Sequence, residues 1–286
     1  MKNVCLILLL IYSTSALGQN TPPKDSTFET HPVPSHIYHV NPWVTGSIIV
    51  AGGAADLLAL NVVRYKPAIT DAEFDGLNTN SINPFDRWAL RLSTTNYTKW
   101  ENIATIYNAA GVFLPLTLFF DEKINKDWFR ILAMYVEVES ISLTTYIATP
   151  LGPLFQEKLR PIVYYDNLSR AERSNGNNRN SFYSGHVASV SAATFFMVKV
   201  YSDYHPEIGG DKFWLYAAAL VPPLGLGYIR MLGLNHFPSD ILTGLGIGAL
   251  YGVLIPELHR ISDKDVSFGV YTSPEATGLS MKIALK

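Results

Sequence analysis

Charge is scarce in this chain: charged residues make up 16% of its 286 positions, against 48% hydrophobic, where soluble domains carry about a quarter charged. The apolar share excludes a disordered, solvating chain. Twenty-two basic residues against 24 acidic ones, a net charge of -2, provide no basic field, so no nucleic-acid partner is expected. Any anionic ligand must instead be held by a local cluster. Cysteine is almost missing as well, Cys5 being the only one. Lys2, the apolar run Val4 to Ile11 and the small-x-small triplet Ala16-Leu17-Gly18 before Gln19 have the layout of a secretory signal over residues 1–18. Its removal leaves no thiol, which excludes cysteine nucleophiles, thiolate metal sites and disulfides together.

A polar linker spans residues 19–42, with His31, His36 and His39 spaced irregularly around Pro32 and Pro34, so no helical period gathers these histidines into a ligand set. Apolar runs follow at Trp43 to Val63, Ile103 to Phe120, Trp128 to Ile147, Val187 to Tyr201, Phe213 to Ile229 and Ile241 to Ile255. Each is close to the roughly 17 residues that a bilayer demands. The expected fold is all-α, a bundle of about six apolar transmembrane helices, with residues 43–148 as its N-terminal part and 149–260 as its catalytic part. Gly244, Gly246, Gly248 and Gly252 suit close helix packing. In the tail, residues 261–286, apolar residues from Val266 to Leu285 alternate around Pro274 to Gly278, which reads as a short β-hairpin.

Chemistry concentrates between Leu159 and Asp240. Arg160-Pro161 closes what reads as a helical stretch; Ser184-Gly185-His186 opens the fourth apolar run, where helix N–H groups and a hydroxyl make an anion site. Arg230, His236 and Asp240 form the third cluster. With His236 and Asp240 four apart on a helix, the carboxylate can accept from one imidazole nitrogen and leave the other as nucleophile or base. Singly, each residue also reads as a cap or an interfacial charge. Jointly, two histidines, two arginines, a Ser-Gly turn and a carboxylate at the ends of apolar helices must meet one another.

In this order and spacing the residues resemble the type-2 phosphatidic acid phosphatase and vanadium haloperoxidase superfamily, whose signature runs Lys-x6-Arg-Pro, Pro-Ser-Gly-His, then Ser-Arg-x5-His-x3-Asp. Arg160-Pro161, Tyr183-Ser184-Gly185-His186 and Ile229-Arg230 through His236 to Asp240 carry the likeness. Pro153 stands where the family has its lysine, Tyr183 where it has proline, and Ile229 where it has serine. Lys158, or Arg170, Arg173 or Arg179 from the loop, are candidates to replace the lost cation.

The resemblance implies a phosphoric ester hydrolase acting through a phosphohistidine. His236 is then the nucleophile, Asp240 its orienting carboxylate and His186 the general acid and base. Arg160, Ser184, Gly185, Arg230 and, as a doubtful member, Lys158 hold the phosphate. No metal or other cofactor is implied, though vanadate can mimic the phosphate. The expected partners are a lipid phosphate and the membrane, and the substrate classes are phosphatidic acid, phosphatidylglycerol phosphate, undecaprenyl diphosphate or lipid A. The expected location is the bacterial envelope, with the site facing the periplasm. Three alternatives compete: a soluble periplasmic acid phosphatase for small monoesters, a vanadium-dependent haloperoxidase, and a non-catalytic membrane scaffold. A cleaved signal followed by three spans would turn the first catalytic loop inward, against the outward site.

Overall fold

The computed structural model describes residues 36–261, 266–272 and 277–283. Residues 1–18, with the expected signal and Cys5, lie outside the described residues, as does His31.

Seven helices build the body. Helix α1, Pro42–Arg64, starts where the Asn41 side chain accepts the N–H groups of Trp43 (3.0 Å) and Val44 (3.4 Å), with Pro42 in the first helical position. Helix α2, Tyr97–Phe113, tightens into a 3-10 segment, Leu114–Phe120. Helices α3, Trp128–Ala148, and α4, Gly185–Tyr204, follow. The fifth apolar run divides into α5, Lys212–Ala219, and α6, Val221–Leu232, because Pro222 and Pro223 cannot donate the hydrogen bonds that would continue α5. Helix α7 is Pro238–His259. All six expected runs are thus helical, with longer bounds. The tail stands apart as a unit of its own: β1, Val266–Thr272, pairs antiparallel with β2, Thr277–Ile283, Val266 opposite Ile283 and Thr272 opposite Thr277.

Among the described residues, five segments are long and apolar enough to cross a membrane: 42–64, 97–120, 128–148, 206–232 and 238–259. Helix α4 is not among them, and its position explains why. It packs against α2, α3, α6 and α7 and buries most of its residues, Ser191, Thr194 and Lys199 included, so protein rather than lipid surrounds it. Outward faces carry the apolar surface instead, as Val50, Leu57, Leu58, Ile106, Leu143 and Leu250 are all exposed. Exposed Trp43, Phe120 and Trp128 stand at the ends of α1, the α2 extension and α3, and exposed Tyr65 caps the other end of α1. Aromatic residues are enriched at the two bilayer interfaces. An apolar belt on the surface, with aromatics at helix ends, fits a membrane-embedded bundle.

The tightest seam joins α4 and α7. A Cβ on Gly244 would come 2.5 Å from the Ser184 carbonyl oxygen, one on Gly248 2.1 Å from that of Ala188, and one on Gly252 2.6 Å from that of Ala192. Spaced four apart, the three glycines form one stripe that lets the backbones touch. Gly246, from the same run, faces open space. The seam brings the N-termini of α4 and α7 side by side, and Ser184 N–H donates to the Asp240 carbonyl (3.0 Å).

Helix direction decides which loops share an end. The C-terminus of α1 and the N-terminus of α2 meet the segments that carry Arg160, Asn180 and Asn235, whereas Thr45 at the start of α1 bonds Glu137 and Tyr38 pairs with Arg260 at the opposite end. Helices α1, α2 and α3 therefore make three passes before Arg160, which leaves Asn41 and Arg160 at opposite ends.

Two predictions follow from this packing. Gly248→Ala should lower stability by roughly 3 kcal/mol through overpacking, while Gly246→Ala stays neutral or gains up to about 1 kcal/mol of helix propensity, both read by thermal unfolding in detergent. In a Cys5→Ser background, single cysteines at the exposed Asn167 and Lys126 should react with an impermeant maleimide from opposite sides of the membrane.

Candidate active site

The segment that carries Lys158 and Arg160 is extended, not helical. Arg179 O accepts Lys158 N–H (3.2 Å), Lys158 O accepts Ser181 N–H (2.9 Å) and Asn178 O accepts Arg160 N–H (2.8 Å). Pro161 then opens a 3-10 turn. In an extended chain, residues two apart share a face, so Lys158 and Arg160 point the same way, contrary to their opposite faces on the expected helix.

Lys158 nevertheless does not join the phosphate cradle as expected. Its three ammonium protons serve Asp86 Oδ2 (3.1 Å), Ser239 Oγ (3.0 Å) and Asp240 Oδ1 (2.7 Å), and the ammonium lies 4.9 Å from the Phe237 ring centre. An ammonium has only three donors, so none is left for an anion. The loop arginines are also engaged: Arg170 with Asp71, Arg173 with Asp166 (2.9 Å), and Arg179 with Glu73 (2.7 Å) and Glu157 (2.9 Å). The Arg179 guanidinium holds the Glu73 carboxyl down at about 2.

Two arginines remain. Arg160 and Arg230 are both almost fully buried, and the Nε of each lacks a hydrogen-bond partner. Arg160 Nη1 donates to Asn235 Oδ1 (2.7 Å), and Asn235 Nδ2 to the Gly233 carbonyl (2.8 Å). Buried Leu234 takes a left-handed φ of 58°, unusual for a side chain with a Cβ, as the loop turns from Arg230 toward His236.

His236 precedes helix α7, since Phe237 is the N-cap and Pro238 the first helical residue. The four-apart rule of a helix face therefore does not apply to His236 and Asp240. The partner of His236 Nδ1 is the Ser181 carbonyl oxygen, at 2.7 Å, and not the Asp240 carboxylate expected from spacing. A carbonyl only accepts, so Nδ1 carries the proton and Nε2 keeps its lone pair. That Nε2 is buried and unpartnered. Burial first, then the Arg230 and Arg160 charges, lower the imidazole pKa well below its usual range, which keeps the ring neutral.

Asp240 acts one step further back. Its Oδ2 accepts from Ser181 Oγ (2.6 Å) and Phe237 N–H (2.9 Å), the residues on either side of the His236 contact. Asp86, from the short helix Pro84–Arg87, accepts Ser239 N–H (2.9 Å) and Oγ (2.6 Å) and so caps α7 from a distant segment. Asp86, Ser181, Ser239 and Asn235 were not singled out in the sequence. The Asn83-Pro84 start of a helix hints at the turn that holds Asp86, but its partner lies 153 positions away.

Ser184 occupies the N-cap position of α4 yet makes no capping bond, and its buried Oγ has no partner. Gly185 packs on Tyr146, whose ring a Cβ would meet at 2.9 Å. His186, half-buried, follows in the first turn. Tyr183 is fully buried and edge-on to Tyr146, with ring centres 5.4 Å apart, and Ile229 packs into an apolar cluster. Four unpartnered polar atoms belong to the guanidinium, hydroxyl and imidazole groups of Arg160 (Nε), Arg230 (Nε), Ser184 (Oγ) and His236 (Nε2), and the buried Tyr183 hydroxyl is unpartnered as well. They present cationic and neutral donors beside a neutral nitrogen lone pair, which is the donor set of an oxyanion site.

Residues 136–263 match the PAP2 superfamily. The PAP2 segment covers less than half of the chain and contains Arg160, Ser184, His186, Arg230, His236 and Asp240. Asp86 and Glu101 lie outside the PAP2 match. No curated protein and no solved structure matches the chain.

The buried neutral imidazole makes stability depend on pH. A folded-state pKa below the unfolded one means that the unfolded chain binds more protons on acidification, so stability present at neutral pH is lost as pH falls through the unfolded value of about 6.5. His236→Gln should flatten the loss between about pH 7 and about pH 5, where one such group contributes up to roughly 1.4 kcal/mol per pH unit. Thermal unfolding of both proteins across that range measures it.

Proposed function

We propose that the protein is a phosphatase of phosphate monoesters, acting through a phosphohistidine on His236. The observation that carries this reading is the set of four buried, unpartnered atoms, Arg160 Nε, Arg230 Nε, Ser184 Oγ and His236 Nε2. Buried donors without partners cost free energy; a tetrahedral oxyanion accepts from the two guanidinium groups and the Ser184 hydroxyl, and sets its phosphorus before the His236 Nε2 lone pair. The PAP2 match over residues 136–263 supports a phosphoester hydrolase on independent grounds.

In the proposed reaction His236 Nε2 attacks phosphorus as the bond to the leaving oxygen breaks. Arg160, Arg230, the Ser184 hydroxyl and the Gly185 N–H take the equatorial oxygens, whose charge grows in the transition state. His186 gives its proton to the departing alkoxide. The imidazolium of His186 is stabilised once the phosphate dianion offsets the two guanidinium charges. Water then attacks the phosphohistidine, returns a proton to His186 and releases inorganic phosphate. Asp240 does not reach the ring; through Ser181 and Phe237 it fixes the backbone whose carbonyl holds Nδ1. The mechanism calls on no cofactor, and vanadate enters only as a mimic in the same cradle.

The substrate class that suits this placement is a membrane lipid phosphate monoester. Five apolar spans and an exposed apolar belt would keep the tails in the bilayer while the headgroup meets a site at the bundle end. We place the site on the periplasmic side. With three passes before Arg160, that side puts Asn41 in the cytoplasm.

His236→Ala should reduce phosphate release from dodecyl phosphate micelles by roughly a thousandfold or more, and the wild-type chain quenched in alkali should carry a radiolabelled phosphohistidine that the variant lacks. Activity retained by the variant would sink the mechanism.

A further inference from the structure

A pocket of about 200 Å³ opens beside the cradle, lined by Arg160 and Asn235 on one side and by Tyr97, Thr98 and Glu101 of the start of α2 on the other. The buried Arg160, whose Nε has no partner, joins the pocket to the proposed phosphate position. Helix α2 is held close to the third motif: a Cβ on Gly233 would lie 3.6 Å from Glu101 N. Two carboxylates line the pocket, and they differ in kind. Glu172 is occupied, accepting from Tyr97 OH (2.5 Å) and from Ser169 N–H (2.9 Å) and Oγ (2.5 Å). The exposed Glu101 carboxylate makes no hydrogen bond or ion pair among the described residues. Burial lowers the Arg160 pKa, and Tyr146 and Glu101 are the first two groups that oppose it, which places the Glu101 charge within electrostatic reach of the cradle.

A carboxylate with no hydrogen-bond partner among the described residues, beside two buried guanidinium groups, bears on which ligands the site accepts. On the proposed mechanism, the alcohol part of an ester held by Arg160 and Arg230 extends past Arg160 into this pocket. In this pocket the alcohol meets a carboxylate and side-chain amides. A further phosphate or carboxylate on the leaving group would meet like charge there, and an ammonium would meet its complement.

We infer that Glu101 is a specificity-determining residue that selects phosphate monoesters of amino alcohols over monoesters whose alcohol part carries a second anion. The inference rests on the phosphatase reading above and names the substrate class for that site.

Three monoesters of similar size separate charge from shape: phosphoethanolamine, n-propyl phosphate and phosphoglycolate, each assayed for kcat/KM with the purified full chain in detergent. The wild-type chain should prefer them in that order. Glu101→Gln should cut the ratio of phosphoethanolamine to phosphoglycolate by about tenfold, the weight of one partly screened charge pair, and Glu101→Lys should reverse it. Ratios within one protein cancel any general loss of activity in a variant. A ratio unchanged in both variants overturns the inference while leaving the phosphatase reading intact. Absence of turnover of all three by the wild-type chain overturns both. A long-chain amino-alcohol phosphate in the same micelles tells the source of the ligand: faster turnover than phosphoethanolamine means a lipid, and slower turnover a soluble ester.

Discussion

Backbone contact between α4 and α7 is the constraint on which the rest depends. Gly244, Gly248 and Gly252 leave no room for a side chain against the carbonyls of Ser184, Ala188 and Ala192. Because of that contact two helix N-termini lie side by side, one bearing Ser184, Gly185 and His186 and the other preceded by His236. A helix N-terminus presents unpaired N–H groups and a partial positive charge, and two together make a place for a doubly charged anion. The first apolar cluster, with Val138, Ala192 and Phe196 fully buried, seats α3 on the same central helix.

Around that seam the polar groups divide by what neutralises them. Lys158, Asp86, Ser239, Ser181 and Asp240 satisfy one another and lock the turn before α7. Arg160, Arg230, Ser184 and His236 keep one atom each without a partner. The first group gives stiffness, and the second is left to the ligand. The lysine missing at position 153 is consistent with this division: Lys158, close by in sequence, has been drawn into the lock, and two guanidinium groups remain for the phosphate. On the proposed function such a cradle would hold a phosphoryl group with less cationic excess, so that a neighbouring carboxylate such as Glu101 weighs more.

The membrane setting follows from the same inside-out logic. Helix α4 carries polar residues because it is wrapped by other helices, and the wrapping helices carry leucine, valine and aromatic residues outward because they are not. Hydropathy therefore under-reports α4, whose pattern taken alone falls short of a span, although it is the helix that the fold can least do without.

Much of this was legible in the residues themselves. The six apolar runs declared six helical stretches, since helix length and apolar content are local properties, whereas the division of the fifth at Pro222-Pro223 came with the structure. Arg160, Ser184, Gly185, His186, Arg230 and His236 stand out by type and order, and all six fall within the PAP2 match. Three things were decided only by the tertiary structure. The chain at Lys158 is extended because it pairs with Asn180, a partner supplied by the fold. The Nδ1 acceptor of His236 is a backbone carbonyl, and since every residue has one, sequence cannot single out that of Ser181. Asp86 and Glu101 come from segments far from the motifs and acquire their roles only when α2 and the turn after α1 close over the site. Side-chain chemistry is written residue by residue, whereas hydrogen-bond partnership depends on distance in space, which chain order does not encode.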